Sequence, residues 1–353
     1  MNRFKSFLKR KDIVFSAKRY GIDALGAMAQ GLFASLLIGT IISTIGTQFN
    51  IEIFNQIGKF ASDVKGPAMA IAIAYALKCP PLVLFSMTAV GLAADSLGGA
   101  GGPLAVLFVA IISAEFGKAV SKETKIDIIV TPFVTITVGV LLSVWTAPYI
   151  GAAASAFGRA IMWATELKPF FMGIIVSVVV GIALTLPISS AAICAALSLT
   201  GLAGGAAVAG CCAQMVGFAV MSFKENKWGG LFAQGIGTSM LQMGNIVKNP
   251  KIWIPPILSS AICGPLATCV FKLKMNGAAV SSGMGTCGFV GQIGVYTGWI
   301  SDIANGTKAA ITSFDWFGLI MISFVLPAVL TWAISLFFRK INWIKENDLK
   351  LDI

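Results

Sequence analysis

A run of 55 residues without a charged side chain, residues 169–223, decides the fold: PFFMGIIVSVVVGIALTLPISSAAICAALSLTGLAGGAAVAGCCAQMVGFAVMSF. A helix needs about 20 apolar residues to cross a bilayer, so this run holds at least two crossings. It lacks the alternation of polar and apolar residues that marks the strands of a transmembrane barrel. The stretch therefore predicts consecutive membrane helices.

Long runs without a charged residue recur along the chain. They cover residues 24–51, 128–158, 228–247, 252–271, 275–301 and 316–338. Only 12% of all residues are charged, compared with roughly 25% in an ordinary soluble domain. We therefore expect an all-α, polytopic transmembrane helical bundle of about ten membrane segments.

Basic residues flank the expected bundle. Seven lysines and arginines precede the first span and four follow the last one. Because such residues concentrate on the cytoplasmic side, both termini are expected in the cytoplasm. We interpret residues 1–20 as a basic amphipathic arm on the lipid bilayer, 21–338 as a single transmembrane domain and 339–353 as a cytoplasmic tail. This placement of the net charge of +11 argues against nucleic acid as a partner.

The residue types present exclude several kinds of chemistry. The chain has no histidine, which excludes a histidine general base, a Ser-His-Asp triad and a phosphohistidine on this polypeptide. Its seven cysteines lie almost entirely inside apolar runs, and the adjacent Cys211 and Cys212 are only a weak indication of a metal site. We expect free buried thiols, no metal site and no cofactor.

Glycine and proline interrupt several apolar runs. Residues 91–106, GLAADSLGGAGGPLAV, place Asp95 beside clustered glycines, and a second short run extends from LPISS at 186–190 to GLAGGAAVAG at 201–210. Irregular backbone occurs at membrane depth only where protein or water satisfies its polar groups. Re-entrant or broken helices are therefore expected. Asp95 either lines a polar cavity or lies in an aqueous loop with residues 98–102 as the turn.

The two interrupted stretches also resemble each other. Pro80 and Pro187 are 107 residues apart, and Gly91 and Gly201 are 110 apart. Transporters often carry interrupted helices at corresponding positions of two repeats. An internal repeat is therefore one hypothesis, although glycine-rich composition also produces such matches by chance.

Polar amides stand out in the charge-free segments. A carboxamide both donates and accepts hydrogen bonds, as a sugar hydroxyl does, and a carboxylate can accept from two hydroxyls. A pathway for cations would be expected to hold more acids, and one for anions more lysine or arginine. The candidate substrate-binding residues are Asp95, Gln214, Glu225, Asn226, Gln242, Asn245 and Gln292. Each amide has an alternative role in hydrogen bonds between helices.

Four motifs carry a family resemblance: GCCAQM at 210–215, KENKWGG at 224–230, GTSMLQ at 237–242 and GMGTCGFVGQIG at 283–294. Through them the chain resembles the membrane enzyme IIC (EIIC) proteins of the phosphotransferase system (PTS), most closely the perfringolysin-regulator (PfoR-type) branch. The resemblance implies a homodimeric permease subunit of the bacterial cell membrane. Such a subunit binds a sugar or polyol for phosphorylation by separate IIB and IIA proteins.

One departure from the family pattern leaves the activity open. Well-described EIIC transporters use a histidine and a glutamate near the sugar, whereas this chain offers only the acid, from Glu225 or Glu115. It also lacks a phosphoryl-carrying histidine and a IIB-type cysteine, so its status as an enzyme component stays uncertain. Two alternatives remain: a membrane sensor that regulates gene expression without transport, and a PTS-independent secondary transporter of a small solute.

Overall fold

The computed structural model describes residues 2–351 of the chain. Within that range every regular element is a helix, and the one β-type contact is an isolated antiparallel bridge between Gly201 and Met275. The predicted all-α class is therefore confirmed. Residues 1, 352 and 353, at the ends of the predicted arm and tail, lie outside the described residues.

The chain divides into two compact units, the first ending at Ala154 and the second beginning at Ser155. The first contains α1 (Asn2–Arg10), α2 (Arg19–Phe49), α3 (Glu52–Asp63), α4 (Lys65–Ala76), α5 (Pro81–Gly98), α6 (Gly102–Val120) and most of α7 (Asp127–Thr165). The second contains the end of α7, α8 (Pro169–Thr185), α9 (Ser190–Ala196), α10 (Gly201–Met221), α11 (Phe223–Phe232), α12 (Met243–Lys248), α13 (Pro250–Val270), α14 (Val290–Ala304) and α15 (Ser313–Lys340). The single transmembrane domain over 21–338 stays a prediction.

The predicted break within residues 91–106 is narrower than the sequence indicates. Helix α5 continues through Gly91 and ends at Gly98, and Gly99 turns the chain with a φ of 52°. At Gly91 a Cβ would overlap the carbonyl oxygen of Gly66 in α4, so this glycine permits close helix packing. Helices α5 and α6 are 18 and 19 residues long, or about 27–29 Å at 1.5 Å per residue.

The second predicted break is present and is more extensive. Thr185 at the end of α8 lies beside Gln214 of α10, and Ser177 lies beside Gly210. The later residue of α8 thus faces the later residue of α10, which means that the two helices run parallel. Residues 186–200, which include only the seven-residue α9, must therefore return across the unit between them.

A second irregular segment, residues 271–289, packs against the first. Ser190 Oγ donates to the carbonyl of Gly283 (2.7 Å), and Ser282 Oγ donates to the carbonyl of Leu199 (2.6 Å). We call residues 186–200 and 271–289 the interlocked segments. They satisfy each other's backbone carbonyls, as irregular chain at membrane depth requires.

Helices suited to a membrane recur along the described part of the chain. Six helical stretches are long and apolar enough to cross a membrane, and one of them, Pro81–Val120, contains both α5 and α6. In the described part of the chain the shorter apolar helix α8 adds one more segment, and the number of about ten stays a prediction. The internal repeat stays a prediction: Gly91 lies inside α5, whereas Gly201 begins α10 with a φ of 66°.

Candidate functional site

Three of the predicted residues lie together near the end of α10. Gln242 Nε2 donates to Gln234 Oε1 (2.9 Å), and Asn245 Nδ2 donates to Gln242 Oε1 (2.9 Å). Gln234 in turn donates to Ser222 Oγ (2.9 Å). With Asn226 these side chains form what we call the amide cluster.

The chain that follows α15 fills the amide cluster. Asn226 Nδ2 donates to the carbonyl of Leu349 (2.7 Å), and the Leu351 N–H donates to Asn226 Oδ1 (2.8 Å). Gln242 donates to the same Leu349 carbonyl (3.0 Å), and Asn245 donates to the next carbonyl along the chain (2.8 Å). These amide donors are therefore engaged by the C-terminal tail, and a ligand would have to displace it to use them.

Glu225 lies beside the amide cluster in an ion pair. Arg339 Nη2 donates to Glu225 Oε1 (2.7 Å) and to the carbonyl of Met221 (3.2 Å). The Glu225 side chain is only 2% exposed, and its Oε2 has no hydrogen-bond partner. One carboxylate oxygen is thus fixed by Arg339, and the other is buried and unpartnered.

Gln214 belongs to a different network, between helices. Its Oε1 accepts from Trp253 Nε1 (2.9 Å) and from Thr185 Oγ1 (3.2 Å), and its Nε2 faces Ser260 Oγ at 3.4 Å. Ser239 extends the network through its contact with Thr185 (2.8 Å). The carboxamide is fully buried and joins α8, α10 and α13, which is the alternative role that the sequence allowed.

Gln292 lies in the first turn of α14, directly after an interlocked segment. Its Nε2 donates to Ser323 Oγ (2.9 Å) and faces Cys212 Sγ at 3.4 Å, while its Oε1 is buried without a partner. Phe289, which precedes α14, has a φ of 58°, an uncommon conformation for a bulky side chain.

Asp95 lies in the first unit, one turn before the end of α5. Its Oδ2 pairs with Lys65 Nζ (3.2 Å), and its Oδ1 is buried without a hydrogen-bond partner. Gly102 leaves room for it, because a Cβ there would overlap Asp95 Oδ1. Residues 98–102 form the turn, as expected in the loop interpretation, but Asp95 itself is helical.

Three predicted residues keep an unpartnered buried oxygen. In the described part of the chain such side-chain atoms are Asp95 Oδ1, Glu115 Oε2, Glu225 Oε2, Gln292 Oε1 and Thr331 Oγ1. The predicted residues nevertheless do not form one site. Gln292 faces Ser323 and Glu225 faces Arg339, which are 16 residues apart in α15, or about 24 Å at 1.5 Å per residue.

The model of the family described as "Phosphotransferase system, EIIC" matches residues 22–351. The chain belongs to this family. It is therefore a membrane protein and a PTS sugar permease subunit, and family membership implies a sugar substrate with IIB and IIA partners. Curated proteins and solved structures give no match, and the PfoR-type branch stays a prediction.

The thiols of this EIIC protein are poorly placed to carry a phosphoryl group. All seven cysteines are free, and five of them are buried. Outside the candidate spans, burial raises the pKa of the Cys79 thiol to about 12, so Cys79 is not a thiolate at neutral pH. Nucleophilic phosphotransfer from this thiol is therefore disfavoured.

Sequence reasoning missed the partners of the predicted amides. Nothing in the sequence pairs Trp253 or Thr185 with Gln214, because the contacts span 39 and 29 residues. The docking of Leu349 on Gln242 spans 107 residues. The polar residues themselves were detectable in apolar runs, but their partners were not.

Proposed function

We propose that this EIIC protein binds an uncharged sugar or polyol at the interlocked segments of its second unit and presents it to separate IIB and IIA proteins. The observation that carries the proposal is the Gln292 carboxamide, which lies beside residues 271–289 with one buried polar atom unpartnered. Leaving such an atom unpaired costs about 1–3 kcal/mol. A ligand hydroxyl would remove this cost.

The chemistry of Gln292 suits a hydroxyl in particular. The unpartnered atom is the carboxamide oxygen, which accepts hydrogen bonds. A sugar hydroxyl can donate to it. The interlocked segments carry charge only at Lys272 and Lys274, near the start of the second segment, and none in residues 186–200 or 275–289, which favours an uncharged ligand.

The backbone around Gln292 supports a role in binding and movement. Gly285, Gly288 and Phe289 all have φ between 51° and 58°. This conformation is ordinary for the two glycines but uncommon for Phe289, and uncommon backbone conformations concentrate at binding and switching sites. We infer that the interlocked segments rearrange during translocation, as interrupted helices do in other transporters.

The other candidate residues have distinct places in this proposal. Asn226, Gln242 and Asn245 contact a sugar only when the C-terminal tail leaves the amide cluster. Glu225, with its unpartnered oxygen, would contact a sugar at the amide cluster and not at Gln292, because their partners Arg339 and Ser323 are about 24 Å apart along α15. Asp95, in the first unit, keeps a role as a polar group at membrane depth.

The distribution of charge supports a cytoplasmic position for the end of the second unit that carries the tail. The basic residues of 222–253 and 339–351 are Lys224, Lys227, Lys248, Lys251, Arg339, Lys340, Lys345 and Lys350. The acids of the same stretches are Glu225, Glu346 and Asp348. By the positive-inside rule this end faces the cytoplasm of a bacterial cell, where the partner proteins would meet a homodimer of the chain.

The test uses purified protein in proteoliposomes with a panel of radiolabelled sugars and polyols. We expect saturable binding of one class, with sugar phosphate formed only when IIB, IIA and a phosphoryl donor are added. Uptake that an uncoupler abolishes without these proteins would favour the secondary transporter. Absence of binding across the panel would contradict the proposal and favour the sensor.

Substitution of Gln292 by alanine is expected to weaken sugar binding about tenfold, because one hydrogen bond to the ligand is lost. Equilibrium binding of the sugar identified in the panel measures the change. The matched control is Thr331→Val, which removes another unpartnered buried oxygen at nearly constant shape. Wild-type binding by Gln292→Ala, or an equal loss in the control, would remove Gln292 from the site.

A further inference from the structure

Three segments of the first unit meet around a pocket of about 390 Å³ at the end where α1, α4 and α6 terminate. Its lining residues are Arg10, Lys11, Asp12, Lys78, Pro80, Lys118, Ser121, Lys122 and Glu123. Five of these carry a positive charge and two a negative charge. The volume falls within the range of small-molecule sites, about 300–1,000 Å³.

Both acids of the pocket already have cationic partners. Arg19 donates to both oxygens of Asp12 (3.2 and 2.7 Å), and this contact lowers the pKa of Asp12. Lys11 and Arg10 pair with Glu123 and lower its pKa. Both carboxylates are therefore ionised and neutralised at neutral pH, and neither is available to balance further cations.

The deepest cation is also engaged. The side chain of Lys118 is 2% exposed; its Nζ pairs with Glu115 (3.0 Å) and donates to the carbonyls of Asp12 (2.7 Å) and Leu77 (3.2 Å). These three partners use all the protons of the ammonium group. Lys118 thus holds the floor of the pocket together and adds positive potential.

Lys78 and Lys122 carry positive charge that no acid of the pocket balances. Both side chains are exposed, and their ammonium groups have no hydrogen bond or ion pair within the described residues. Lys78 acts on Asp12 only at longer range. Lys78 and Lys122 occupy corresponding positions, two residues after the ends of α4 and α6, with φ of 57° and 59°.

The partial negative charges at the ends of the three helices do not balance this positive charge completely. Three helix C-termini contribute about half a negative charge each, which offsets roughly half of the net charge of three that the lining residues carry. Arg19 and Glu115, the outer partners of Asp12 and Lys118, cancel each other. The remaining charge is close in size and opposite in sign to a phosphate monoester, about −1.5 to −2 at pH 7.

We propose that this pocket binds a phosphate group, with Lys78 and Lys122 as its primary contacts and Lys118 beneath it. The same chemistry occurs in an anionic lipid headgroup and in a free phosphate. Binding at this place does not depend on which sugar the second unit carries. It would tie α1, the α4–α5 turn and the α6–α7 loop to one ligand.

The test compares the full-length protein with the double variant Lys78→Gln/Lys122→Gln in phosphatidylcholine nanodiscs. Inorganic phosphate, titrated against chloride at constant ionic strength, should raise the thermal unfolding midpoint of the wild-type protein. The phosphate concentration needed should be at least tenfold higher for the double variant. In a second arm, native mass spectrometry measures phosphatidylglycerol retained after purification from mixed vesicles.

The matched control is Lys125→Gln/Lys168→Gln, which removes two charges outside both the pocket lining and the basic arm. A phosphate effect lost only in the double variant supports a soluble phosphate ligand, and retained phosphatidylglycerol lost only in that variant supports a lipid headgroup. The proposal is overturned if the double variant and the control behave alike in both arms. It is equally overturned if the double variant loses only phosphotransfer from IIB, since that would make the pocket a protein-docking surface.

Discussion

Replacement of Gly210 by valine is expected to prevent folding of the second unit and to abolish sugar binding with it. Gly210 lies at a close approach of α8 and α10, and a Cβ there would overlap the carbonyl oxygen of Ser177. The neighbouring Ser260 of α13 binds the Gly210 carbonyl at 3.4 Å, and Ser177 binds the Ser260 carbonyl at 2.7 Å. Three helices would therefore have to separate.

We expect the substitution to lower the free energy of unfolding by more than about 3 kcal/mol, the upper part of the usual range for overpacking. The obstructing atom belongs to the backbone and cannot rotate away. Size-exclusion chromatography in detergent and the thermal unfolding midpoint measure the effect. The control is Gly229→Val: Gly229 is exposed in α11, and no atom lies within 4 Å of its Cβ position. A stable, monodisperse Gly210→Val protein would show that this packing is not required.

The sequence was sufficient for the fold class because the decisive signal is local. A charge-free run of 55 residues can be counted directly, and lipid leaves helices as the solution for such a run. The break at Pro187 was also predictable, since proline and glycine act on their own backbone. Gly91 was misinterpreted because a packing glycine and a turn glycine look alike until the facing chain, here Gly66, is known.

The candidate site was harder to predict from the sequence because the same polar side chains can bind either a ligand or another part of the protein. Carboxamides that match sugar hydroxyls also match peptide groups, as Asn226 does with the backbone of Leu349 and Leu351. Composition detects the amide and not its partner. The basic arm shows the same limit: its charges were visible, whereas the contribution of Lys78 and Lys118 to the same pocket depends on tertiary contacts.

Substitution of Leu349 by alanine is expected to destabilise the protein by about 2–4 kcal/mol, as for other buried leucines. Leu349 is fully buried in a cluster with Phe218, Ile252 and Ile344, and its carbonyl accepts from two side-chain amides. Thermal unfolding measures the loss, with the exposed Lys350→Ala as control. An equal midpoint for the two variants would mean that the tail is not docked in solution.

Truncation after Lys345 then decides how the amide cluster is used. It removes the carbonyls that Gln242 and Asn245 bind and leaves those amides open to a ligand. If they bind the sugar, the docked tail competes with it and lowers its apparent affinity. Truncation should then raise the affinity, because every molecule becomes competent to bind. If sugar binding rests on Gln292, truncation should lower stability and leave affinity unchanged. Gln292 lies beside Ser323, far along α15 from the tail. A rise in affinity would therefore identify a sugar site that the tail regulates, and unchanged affinity with lower stability would identify a tail that only stabilises the fold.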